Sequence, residues 1–134
     1  MEFYQPQLTL TYTVPETGPV SFHLNARVKC PTSNYHIVGY ELHMDNLDVD
    51  KLVEVNLLVD ADASQTAEPV YVILEYNIDL GPFSDENRAF TLDASVYDGP
   101  IAESNPPKGK TTVSSTTASE KERPFIPYNA EKNE

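Results

Sequence analysis

The chain has 134 residues, net charge −12, eight Tyr, no Trp and one Cys. That length holds one domain at most, and the negative charge disfavours nucleic-acid phosphate and anionic lipid as partners. No apolar run reaches the roughly eighteen residues of a membrane span, and MEFYQPQLTL has neither the basic nor the apolar region of a secretory signal. A cytoplasmic protein is therefore expected, and the lone Cys30 leaves no internal disulfide.

Taken in order, six segments alternate apolar and polar side chains, the period-two mark of a strand with one buried face. In QLTLTYTV, Leu8, Leu10, Tyr12 and Val14 oppose threonines. In VSFHLNARVK, Val20, Phe22, Leu24, Ala26 and Val28 oppose polar residues without a break. HIVGYELHM sets Val38, Tyr40, Leu42 and Met44 on one face. LVEVNLLV does so with Val53, Val55, Leu57 and Val59. VYVILEYNIDL uses Val70, Val72, Leu74, Tyr76 and Ile78, and AFTLDASVY uses Phe90, Leu92, Ala94 and Val96. Turn-forming stretches such as PETGP, CPTSN, MDNLDVD and GPFSDEN separate them. A helix could start at the Asp residues of LDVDKLVEVNLL, but the β-branched Val53, Val55 and Val59 oppose it. The expected fold is all-β: an antiparallel β-sandwich or half-open barrel of six to eight strands over residues 1–102.

Residues 103–134 differ in kind. Five bases and five acids cancel there, so the whole −12 sits in residues 1–102, where 16 carboxylates face four bases. The stretch ESNPPKGKTTVSSTTASEKE is polar and expected to be an extended or disordered arm. TTVSSTT within it is a passable strand for an exposed edge. The arm ends in RPFIPY, where Phe125, Ile126 and Tyr128 form an apolar plug stiffened by two prolines.

Several constellations could carry chemistry. Were the strands a simple meander, Asp45, Asp48, Asp50 and Asp85 would gather at one pole as a calcium candidate, though DNLDVD lacks the Gly and distal Glu of an EF-hand. The plainer reading is that Asp and Asn build turns. Hairpin pairing across PTSN would face His23 with His43 and set Asn25 beside Glu41, a candidate zinc or copper pair or else a solvated polar pair. A metal-dependent enzyme using these two His residues is the remotest reading, because no nucleophile triad, carboxylate pair or phosphate loop is visible. No cofactor is implied beyond calcium. Cys30, ending a strand, reads as a small buried hydrophobe.

Leu52, Leu58, Tyr71 and Ile73 stand on the otherwise polar faces of two strands consecutive in sequence. Apolar residues on both faces imply that something covers them. The leading expectation is a non-enzymatic binding or assembly protein that meets a protein partner or its own copies, as a homo-oligomer, through this sheet face and the arm. The alternative is a lectin-like carbohydrate-binding module, with or without calcium, whose stacking platforms come from Tyr35, Tyr71 and Tyr97.

Overall fold

The computed structural model describes residues 3–99 and 106–120. It is a sandwich of two four-stranded sheets, ordered β5-β2-β1-β8 and β3-β4-β6-β7. The first sheet comprises β1 (Gln7–Thr13), β2 (Val20–Cys30), β5 (Val72–Phe83) and the two-residue β8 (Ser119–Glu120). The second comprises β3 (Tyr35–His43), β4 (Leu52–Ala61), β6 (Thr91–Asp98) and β7 (Gly109–Ser114). The all-β expectation holds, with a qualification. Most pairs are antiparallel, but β4 runs parallel to β6 and β1 parallel to β8. The sheets are mixed.

Alternation located most of the core, though Val38, Tyr40 and Val70, placed on the same faces, are exposed. Leu24, Val28, Val53, Val55, Leu57, Val59, Ile78, Leu92 and Val96 are all fully buried. Near one pole Phe22 meets Phe83 and Phe90 edge-on, at centroid distances of 5.1 and 5.0 Å. Phe83 and Phe90 stack on each other at 4.7 Å. Such offset and edge-on pairs add to the burial of the rings.

The meander does not form. β2 and β3 are consecutive and joined by the short turn at PTSN, yet they belong to opposite sheets. β2 pairs with β1 and β5 instead. The turn is tied elsewhere: Ser33 donates its backbone N–H to Glu68 O, and Asn34 bonds Asp62. The chain thus crosses between layers at that point.

The LDVD stretch does form one helical turn, α1 (Leu47–Asp50). Lys51 ends it in the left-handed conformation, φ 53°, and β4 begins at once. The β-branched run that follows keeps the helix from going further.

The boundary at residue 103 also needs correction. Gly109–Ser114 pairs with β6 and Ser119–Glu120 with β1, so this stretch belongs to the sandwich. It needs little apolar content because an edge strand has one ladder to satisfy, and threonine suits a half-exposed strand. Ser115 anchors it with a buried hydroxyl that donates to Arg88 O and accepts from Phe90 N–H. Gly109 has a steric reason: a Cβ there would lie 2.2 Å from the carbonyl oxygen of Tyr4.

The two long sides of the sandwich differ. On one, β1 packs near β7, and Gln5 Nε2 donates to Lys110 O across the gap. On the other, β3 packs near β5 and both strands are edges.

Candidate functional site

The β3/β5 side collects exposed apolar residues. Of the eight large hydrophobic residues that stand exposed among the described ones, six lie here: Ile37, Val38 and Tyr40 on β3, with Val70, Tyr71 and Ile73 at the head of β5. The cause on β3 is visible in its register. A bulge between Ile37 and Gly39 leaves Val38 without an opposite residue, so Ile37 pairs Val59 and Tyr40 pairs Leu57. Ile37 and Tyr40 therefore point to the same face as two fully buried residues, yet they are 41% and 46% exposed. Among the described residues no segment lies beyond this edge strand to cover them. The periodicity had placed Val38 on the buried face; the bulge moves it out, to 57% exposure.

The expected apolar face of two neighbouring strands is not formed as such. Leu52 and Leu58 lie on β4 in one sheet, while Tyr71 and Ile73 lie at β5 in the other. Leu52 and Leu58 are half-buried; Tyr71 and Ile73 are exposed. One face of the Tyr71 ring is already occupied by the Lys29 ammonium, 3.8 Å from its centroid, a cation–π contact. Phe125, Ile126 and Tyr128 lie outside the described residues.

The histidine pair is not formed. His23 sits opposite Thr11 and Asp79 in the first sheet, and His43 opposite Glu54 in the second. Asn25 donates to Glu75 and Asn77 rather than lying beside Glu41. His43 lies 3.4 Å from Glu41. The carboxylate candidates fare similarly. Asp48 does meet the 85–87 turn, accepting from Asn87 Nδ2 at 2.8 Å, but Lys51 Nζ closes the contact by donating to Asn87 Oδ1. Asp85 pairs with Arg88 at 3.5 Å. Among the described residues no three His, Cys, Asp or Glu side chains come together as a metal site.

Among the described residues, two concavities stand out. On the outer face of the second sheet, His43, Asp45, Asn46, Leu52, Glu54, Asn56 and Tyr97 line a shallow cleft of about 340 Å³. It brings together Asp45, His43 and Tyr97, which the sequence reading had assigned to separate sites. The second is an apolar mouth between the sheets, also about 340 Å³, lined by Tyr12, Val14, Val20, Phe22, Arg88 and Ser115. No sequence signal marked it, because its walls come from turns and strand ends far apart in the chain.

At the opposite pole is a clasp of three residues. Tyr35 donates to Asp98 Oδ2 at 2.7 Å, and the Tyr4 hydroxyl lies 2.6 Å from that of Tyr35 and 3.2 Å from the same carboxylate oxygen. Burial raises the pKa of both tyrosines, and for Tyr35 the bonds to Tyr4 and Asp98 raise it further. Tyr4 adopts φ 69°, unusual for a side chain of its size, and its N–H donates to Lys29 O. Tyr35 is thus a clasp residue with its hydroxyl engaged, not a free stacking platform. Cys30 is fully buried, and burial, with Asp98 nearby, pushes its thiol up to about 12. It is not a nucleophile at neutral pH.

Comparison with family models, curated proteins and solved structures finds no match. Among the described residues no helix is long and apolar enough to cross a membrane.

Proposed function

We propose that the protein works by contact, associating with copies of itself through the open β3/β5 side. The observation that carries this reading is the concentration there of Ile37, Val38, Tyr40, Val70, Tyr71 and Ile73, on or just before two strands that end their sheets among the described residues. Unpaired edges template pairing with another chain, and natural sheets protect them with charge, short length or a cover. β5 is the longest strand, at 12 residues; Ile73 stands exposed near its start and Tyr71 just before it, while its charged residues, Glu75 and Asp79, come further along. Burying such residues yields roughly 25 cal/mol per Å² of apolar area, so a two-fold edge contact gains where an isolated chain does not.

Light-scattering mass across a concentration series tests this. The full chain is expected to exceed its monomer mass, and Ile73→Glu or Tyr40→Glu to return it to monomer. A full chain that stays monomeric at millimolar concentration removes the proposal.

A second reading has its own support. The cleft on the outer face of the second sheet combines one aromatic ring, Tyr97, with carboxylates and amides that suit sugar hydroxyls. The side chains of Asp45, Glu54 and Tyr97 make no hydrogen bond to another described residue. Amide shifts at Asn46 and Asn56 during titration with a glycan panel, abolished by Tyr97→Ala, would establish this reading. An unresponsive spectrum would dismiss it.

A further inference from the structure

The apolar mouth has a candidate occupant in the same chain. We propose that Phe125 and Ile126 seat in the mouth of their own molecule, against Tyr12, Val14, Val20 and Phe22, as a plug tethered at β8. The place lies away from the open side: Val20 pairs Phe83 at the end of β5, whereas Tyr71 and Ile73 stand at its head. The inference is therefore independent of the assembly reading.

Direction is the first argument. β8 runs parallel to β1, with Ser119 opposite Thr11 and Glu120 opposite Tyr12. A chain continuing past Glu120 on that line moves beside Thr13 and Val14, toward the mouth that Tyr12 and Val14 line. Adjacent strands are only about 4.8 Å apart.

Reach is the second. Phe125 follows Glu120 by five residues, a span of up to about 17 Å. That covers the mouth with slack. The exposed head of β5 is another matter. It lies three strand spacings across and eight β2 residues along (Phe22 to Cys30), about 30 Å from Glu120 at standard strand dimensions. Within one chain Phe125 falls short of it.

Chemistry is the third. The mouth is lined mainly by apolar side chains, and Phe22 in its wall already meets Phe83 and Phe90. A further ring extends that aromatic cluster. Lys121, Glu122 and Arg123 form a polar spacer, and Pro124 and Pro127 limit the freedom lost on seating. A short tether also gives the plug an effective concentration on the order of millimolar, which a second copy at micromolar concentration does not match.

The test uses the full chain with a nitroxide at Asn129→Cys, since the buried Cys30 does not take the label under native conditions. In one sample the ¹⁵N-labelled chain carries the nitroxide. In the other, unlabelled-isotope chains carry it and are mixed with ¹⁵N chains that lack it. Thr13, Val14 and Val20 amides are expected to lose most of their peak height in the first sample and none in the second. Phe125→Ser with Ile126→Ser should restore them. Loss in both samples would mean seating between copies and overturn the proposal, as would no loss at all. Neither result touches the mass of the Ile73→Glu chain, so this idea and the assembly reading fail separately.

Discussion

The two long sides of the sandwich are built from similar strands and end differently. On the β1/β7 side the Tyr4–Gln5 segment and Gly109–Glu120 lie across the gap, tied by the Gln5 bond to Lys110 and the close approach of Gly109 to Tyr4. On the β3/β5 side no described segment does this, and six apolar side chains stand in the open. Backbone coverage makes the difference, since one side is closed by chain of which only Tyr4, Val113 and Ala118 pack on the core, and the other stays open despite having many apolar residues. Closure there combines hydrogen bonds and steric fit with a few apolar contacts.

The strongest way to break this comparison is within one cross-strand pair. Leu57 and Tyr40 are opposite each other and share a face, one fully buried and one 46% exposed. Leu57→Ala should cost about 2–5 kcal/mol, the range for a buried leucine. Tyr40→Ser should cost well under that while weakening association, so chemical denaturation and light scattering together separate core from surface. Equal losses of stability would mean Tyr40 is core after all. Next in size comes the closed side. Gly109→Ala sets a Cβ against the Tyr4 backbone and should destabilise by about 1–3 kcal/mol, as overpacking does. An unchanged midpoint would show that the Tyr4 segment is not held there.

Ile73→Glu on the open side should change stability by only about 0.5 kcal/mol, as exposed substitutions do, while abolishing self-association. The smallest effect is in pH. Tyr4, Tyr35 and Tyr76 all have raised pKa values, chiefly through burial, and so stay protonated in the folded state above pH 10, where unfolded tyrosines ionise. The unfolded state then binds fewer protons. Stability is fully present below about pH 10, the unfolded tyrosine pKa, and falls as pH rises beyond it. Tyr35→Phe should flatten that alkaline slope, and an unchanged slope would show that the clasp does not supply it. Over the same range Cys30 should react with a disulfide reagent only as fast as the chain unfolds.

Much of this was legible in residue order. The alternation of Val20–Val28, and of Val53–Val59 apart from Leu58, named buried residues individually, because a pleated strand sends successive side chains to opposite faces whatever its neighbours are. The bulge at Val38 was not legible, since it depends on β4 as a partner. Nor was the separation of His23 from His43, which follows from β2 and β3 parting into different sheets. The cleft joining His43, Asp45 and Tyr97 rests on the parallel β4–β6 pairing, which no local pattern announces.

By itself, then, the order of residues determined an all-β body and the identity of most of its core. The tertiary structure decided which strands became edges, which apolar residues stayed uncovered, and that a polar stretch near the C-terminus joined both sheets. Side-chain alternation is a property of one strand and survives any arrangement. Edges, gaps and mouths exist only once strands distant in sequence have chosen partners, and that choice is made by the packing of the whole chain.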